Sequence, residues 1–96
     1  MSILAFDQGT TSSRAILFDD KFNIVNSASY PIKQIYPEAG YVEHNPEELY
    51  ISILRSAAAC LYGIAEKPQA IGITNQRETV IVWDKASGKP IHNAIV

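Results

Sequence analysis

The sequence predicts an α/β fold with elements in the order β-β-β-α-β-β-β, and three observations carry that prediction. Two short apolar runs, residues 3–6 and 15–18, flank a polar turn that contains a glycine. A longer stretch, residues 46–64, repeats apolar positions at helical spacing. Beyond it, residues 70–74 and 79–83 are again short runs rich in β-branched residues and bounded by turn formers.

The first two runs are continuous around a Gly-containing turn, which suggests two buried, adjacent strands. Residues 24–35 alternate loosely through Ile24, Asn26, Ala28 and Tyr30, as a third strand with one wetter face would, and Pro31 places part of it at an edge. Tyr36-Pro37-Glu38-Ala39-Gly40 has loop chemistry. The helix begins with Asn45 as N-cap, Pro46 at the favoured first position and Glu48 placed for a capping box. Tyr50, Ile53, Leu54, Ala57, Ala58, Leu61 and Ile64 then define its apolar face, and Lys67-Pro68 stops it. Strands follow at 70–74 and 79–83. Asp84-Lys85-Ala86-Ser87-Gly88-Lys89-Pro90 turns into a sixth, truncated strand, so the chain is expected to be a piece of something longer. No internal repeat is present.

Eight Lys plus Arg against ten Asp plus Glu give a formal charge of −2, which excludes a nucleic-acid partner held by bulk charge. Apolar residues are 47% and charged residues 19%, the balance of a globular segment rather than a disordered one. No apolar run approaches the roughly 20 residues needed to span a bilayer, and the N-terminus lacks a basic signal-peptide region, so a cytoplasmic location is expected. One cysteine, Cys60, excludes an internal disulfide, and two scattered histidines exclude a zinc knuckle.

Asp7-Gln8-Gly9-Thr10-Thr11-Ser12-Ser13-Arg14 is the most informative stretch. Gly9 allows a tight turn and close approach of a ligand to the backbone. Four consecutive hydroxyl residues beside turn amides offer the donors that an anionic phosphate needs. Asp7, at the end of a buried strand, could hold a metal-bound water, and Arg14 adds a permanent cation. The same residues also suit an ordinary hairpin turn. Neither a Walker A loop nor GxGxxG is present.

Asn75-Gln76-Arg77-Glu78, between two apolar runs, reads on its own as a solvated loop with an exposed ion pair, although an Arg donor beside a Glu acceptor would also suit the hydroxyls of a small ligand. His44, before the helix cap, reads as a loop hydrogen-bonding residue and His92 as a surface position. Cys60 reads as a buried, inert thiol. Tyr30, Tyr36, Tyr41, Tyr50 and Tyr62 are too dispersed for a stacking platform and read as packing residues.

The stretch 7–14 resembles the first phosphate loop of the actin, Hsp70 and sugar-kinase superfamily, and within it the glycerol kinase branch of the carbohydrate kinases. Gly40-Tyr41-Val42-Glu43-His44-Asn45-Pro46-Glu47 and Gly72-Ile73-Thr74-Asn75-Gln76-Arg77-Glu78-Thr79 resemble two further stretches of that branch, in the same order. Trp83-Asp84-Lys85 and Gly88-Lys89-Pro90-Ile91 continue the match.

The resemblance implies a ribonuclease H-like (actin-like ATPase) domain, of which residues 1–96 are an incomplete N-terminal part. It implies ATP-dependent phosphorylation of glycerol, with ATP and Mg2+ as cofactors. Thr10, Thr11, Ser12 and Arg14 would contact the nucleotide, Asp7 the metal through water, and Arg77 and Glu78 the glycerol. The general base is expected outside this segment, leaving it inactive alone, and the whole protein is expected to be a dimer or tetramer. Another carbohydrate kinase, or a non-catalytic module that binds nucleotide, would share the phosphate loop; a kinase for xylulose or gluconate is expected to carry a different polyol stretch.

Overall fold

The computed structural model describes residues 1–96. Three antiparallel neighbours come first: β1 (Ser2–Gln8), β2 (Ser12–Asp19) and β3 (Ile24–Pro31). A two-residue strand, β4 (Glu43–His44), leads into α1 (Pro46–Leu61), then β5 (Ala70–Asn75) and another two-residue strand, β6 (Ala94–Ile95). The main sheet has the order β3-β2-β1-β5, with β5 parallel to β1; β4 and β6 form a separate antiparallel pair. Pro31 lies in an edge strand, where its missing N–H leaves no ladder bond unmade.

Helix α1 crosses β2 and β3 and barely reaches β1. Leu4, Phe6, Ala15, Leu17 and Cys60 are buried between helix and sheet, with Ala28, Ile53, Ala57, Leu61 and Ile64 packed against them. Burial of one such large side chain stabilises by about 1.5–3 kcal/mol. A polar seam runs through the same contact. The Ser13 and Ser52 hydroxyls lie 2.6 Å apart, and Ser56 Oγ donates to Ser13 O at 3.1 Å. A second small cluster joins Ile32, Leu49 and Ala94 under the β4–β6 pair.

Several expected details are corrected. The element order is β-β-β-β-α-β-β, because Glu43 and His44 pair with β6, and residues 79–83 do not form a regular strand. Val80 and Trp83 make only isolated bridges, to Ile95 and Pro90. Val80, Ile81, Val82 and Trp83 are all exposed, so no buried face extends the bridge at Val80 into a strand. Helix α1 ends at Leu61, with Gly63 at φ +76, before the expected Lys67-Pro68 stop, since a glycine reverses the chain there without a Cβ penalty. Its inward face is Leu49, Ser52, Ser56 and Cys60, rotated from the expected one; Tyr50, Leu54 and Ala58 face outward. Small serines let the helix approach the sheet, and their hydroxyls are satisfied there. Asn45 caps the helix through the Glu47 N–H at 3.0 Å, but Glu48 makes no capping box: its carboxylate accepts from the Lys33 N–H at 2.9 Å. The five tyrosines are exposed rather than packed.

Candidate functional site

Strands β1 and β5 run in the same direction, and their last residues, Gln8 and Asn75, are register partners. The turns that leave them, 9–11 and 76–79, therefore emerge side by side. The carboxyl ends of parallel strands are where open α/β sheets bind ligands.

The 9–11 turn is a hairpin connection held from behind. The Gly9 N–H donates to Ser12 O at 2.9 Å, and a Cβ on Gly9 would stand 3.1 Å from that same oxygen. Thr10 O accepts from Gln34 Nε2 at 2.8 Å and Thr11 O from the Ile32 N–H at 2.9 Å. The carbonyls are thus spoken for, whereas the Thr10 and Thr11 amides donate to no protein acceptor. Both threonines are exposed. Hairpin and anion loop are consequently compatible descriptions of one turn. The hydroxyl run divides: Ser13 turns inward to Ser52, while Ser12 shares the opposite sheet face with Arg14 and with Asp7, the register partner of Arg14.

Behind this turn lies a chain of buried and half-buried polar groups. Gln8 Nε2 donates to Gly9 O at 2.8 Å. Gln76 Nε2 lies 3.1 Å from Gln8 Oε1, 3.3 Å from Gly9 O and 3.2 Å from His44 Nδ1. His44 Nε2 lies 2.9 Å from Gln34 Oε1, and Gln34 Nε2 returns to Thr10 O and Ile32 O. Thr79 Oγ1 donates to Gln76 Oε1 at 2.7 Å. His44 is fully buried, and burial lowers its pKa from the ordinary 6.5 against the opposing pull of the Glu48 charge. It sits in a strand rather than a loop, though its hydrogen-bonding character was legible. Gln34 and Thr79 were given no role from the sequence, and Gln8 and Gln76 were named there only as members of the 7–14 and 75–78 stretches. Their only signal was an amide or hydroxyl beside apolar runs.

Arg77 and Glu78 follow Gln76 directly and are exposed. Neither the ion pair of Met1 with Glu66 nor the 4.0 Å approach of His92 Nε2 to Glu43 involves them, so the exposed ion pair of the solvated-loop reading is not formed. Glu78 has φ +63, a left-handed conformation that a non-glycine residue adopts at a cost. Asp7 is exposed and unpaired, and it stands apart from any cluster of three ligating side chains. A lone free carboxylate fits Mg2+, which keeps most of its waters and takes one or two carboxylates.

The molecule's two surface depressions lie elsewhere, one lined by Pro46, Tyr50, Lys89 and Pro90, the other by Tyr41, Val42 and Ile95. The residues described above form an open wall rather than an enclosed cavity. His92 is exposed, and Cys60 is fully buried, its thiol pKa raised by burial. Asp84 to Gly88 form a hairpin turn, with Ser87 Oγ donating to Asp84 at 2.8 Å.

Residues 2–96 match the model of the N-terminal domain of the FGGY family of carbohydrate kinases. The glycerol kinases of Bacillus cytotoxicus and Bacillus thuringiensis are 57% and 58% identical over 97 residues, covering 98% of this chain and 20% of theirs. The crystal structure of Plasmodium falciparum glycerol kinase with ADP superposes with a TM-score of 0.89 at 38% identity, over 99% of this chain and 20% of that one. The xylulose kinase of Rhodospirillum rubrum superposes at 0.92 with 26% identity, over 99% of this chain and 20% of its own. The chain thus spans about one fifth of the length of the relatives it matches.

Proposed function

The chain belongs to the FGGY family of carbohydrate kinases, and we propose that it is part of an enzyme that phosphorylates glycerol with ATP, giving sn-glycerol 3-phosphate and ADP. Its fold is the ribonuclease H-like, actin-type ATPase fold of the sugar kinases. The observation that carries the proposal is a juxtaposition. A turn with free amides and hydroxyls and a stretch bearing Arg77 and Glu78 emerge together from β1 and β5, in a chain 57–58% identical to glycerol kinases throughout.

Phosphoryl transfer demands positioning and charge neutralisation more than covalent chemistry from the protein. Thr10 and Thr11 offer amides and hydroxyls to the phosphates, Ser12 adds a hydroxyl, and Arg14 neutralises charge beside the nucleotide. Asp7 would hold Mg2+ through water, and the ion when bound would supply neutralisation of phosphate charge. Arg77 donates to the glycerol hydroxyls and Glu78 accepts from them, aligning one hydroxyl with the transferred phosphoryl group. The proton acceptor for that hydroxyl lies in the remainder of the parent protein, as does the second domain that closes over the substrates. The parent protein works in the cytoplasm as a dimer or tetramer.

The test is an ADP-release assay on the parent protein with glycerol, xylulose, gluconate and no acceptor in parallel. Turnover confined to glycerol is expected. Turnover on another sugar would retain the phosphate loop and discard the substrate, and acceptor-independent hydrolysis would make the chain a nucleotide-binding module.

A further inference from the structure

The side-chain amides behind the site, Gln8 and Gln76 buried and Gln34 half-buried, have fixed directions. Backbone carbonyls can only accept, so Gln34 Nε2, facing Thr10 O at 2.8 Å and Ile32 O at 3.1 Å, has both hydrogens committed. Its Oε1 therefore faces His44 and requires an Nε2–H there, at 2.9 Å. At the other end, Gln8 Nε2 donates to Gly9 O, which turns Gln8 Oε1 toward Gln76. Gln76 Nε2 donates to that group and shares its second hydrogen between Gly9 O, at 3.3 Å, and His44 Nδ1, at 3.2 Å; because this amide nitrogen only donates, Nδ1 must face it with a lone pair. Thr79 occupies Gln76 Oε1. Both ends thus impose one state on His44: neutral, protonated at Nε2 and bare at Nδ1. An imidazolium would place an N–H against the Gln76 amide hydrogens.

Resting on the functional reading above, we propose that His44 is a positioning residue that holds two half-sites in register, the phosphate turn through Gln34 and the polyol stretch through Gln76. The geometry gives each ring nitrogen one half-site. Nε2 reaches Thr10 O in two hydrogen bonds, by way of Gln34. Nδ1 reaches Gln76, whose chain neighbours Arg77 and Glu78 have no side-chain anchor of their own, and Glu78 is held at φ +63. His44 is itself held firmly: it is fully buried, pairs with Ala94 in β6 and immediately precedes the N-cap Asn45. Angstrom-scale misplacement of substrate-holding groups is costly in phosphoryl transfer, which gives such a brace a kinetic consequence.

The two nitrogens can be tested separately in the parent protein, because side-chain amides mimic them one at a time. His44→Asn places an amide oxygen near the Nδ1 position and loses the reach to Gln34. His44→Gln places an amide nitrogen near the Nε2 position and loses the acceptor for Gln76. Steady-state constants for glycerol and ATP are measured on both variants, with urea unfolding to confirm that each is folded. The expected result is a crossed split. His44→Gln raises the KM for glycerol about tenfold and leaves that for ATP within about twofold, and His44→Asn does the reverse, about tenfold being the loss of one hydrogen bond of about 1.4 kcal/mol. A merely structural histidine would lower the active fraction, and with it kcat, without splitting the two constants. Unchanged constants, or parallel changes in both, overturn the assignment. A ring of 15N-labelled His44 that carries its proton on Nδ1 at neutral pH overturns it independently. A wild-type protein without glycerol-dependent turnover would overturn the functional reading and this proposal with it, whereas an active wild type without the crossed split removes His44 alone.

Discussion

Arg77 and Glu78 stand in solvent with no protein partner, yet the residue before them is itself buried and is held by four polar groups. A guanidinium so placed is a free donor on a fixed base. Arg77→Ala is expected to raise the KM of the parent protein for glycerol about 10- to 100-fold, the cost of a hydrogen bond to a charged group, while ATP changes little. Equal losses for both substrates would remove Arg77 from the polyol site. His44 makes a second expectation through pH. Burial lowers its pKa in the folded protein below the ordinary 6.5, so the unfolded chain binds the proton more readily. Stability that depends on neutral His44 is therefore complete above about pH 6.5 and is lost as pH falls from there through the folded value. Urea midpoints measured from pH 7.5 to 5 should fall with acidification, and less steeply in His44→Asn.

At the scale of elements, α1 shows why a helix can be foreseen while its orientation is not. Pro46 and Asn45 mark its start in any surroundings, because they act on the backbone within one turn. Asn45→Ala is expected to destabilise the parent protein by about 1 kcal/mol, read from urea unfolding, since it removes the 3.0 Å acceptor for the Glu47 N–H. No change would mean that water satisfies that donor equally well. The inward face, in contrast, is set by Ser13. Its buried hydroxyl and carbonyl draw Ser52 and Ser56 against β2, so polar residues occupy a stripe that hydrophobicity alone gives to Tyr50 and Leu54. The hairpin of residues 80–95 is the opposite case. Its apolar, β-branched composition is that of a strand, but a strand needs neighbours on both counts of hydrogen bonding and burial.

For the whole molecule, the unburied apolar surface is the dominant fact. Only 15 of 96 residues are buried, while Ile71, Ile73, Val82 and Trp83 are 56–72% exposed. Ile71 and Ile73 share the sheet face of Leu4 and Phe6, which α1 covers over β2 and β3 and at the margin of β1 but not over β5. Surface of this kind belongs to a partner structure, and the chain spans one fifth of its relatives. The isolated 96 residues are therefore expected to bind an apolar-surface dye strongly and to show no glycerol-dependent ADP release, whereas the parent protein shows the reverse. Activity in the isolated piece would place a proton acceptor within it and revise the mechanism.

By itself the sequence determined the α/β class, the three leading strands, the helix start, the 9–11 turn and the kinase resemblance. Each rests on local chemistry: the conformation of glycine and proline, the capping of an amide, the period of apolar residues, a motif read in order. Only the tertiary structure decided that Gln8, Gln34, His44 and Gln76, spread across 69 residues of chain from first to last, form one directed hydrogen-bond chain behind the site. A polar side chain in a sequence has no visible partner. Its role exists only once the parallel pairing of β1 with β5 and the pairing of β4 with β6 bring donor and acceptor together out of water.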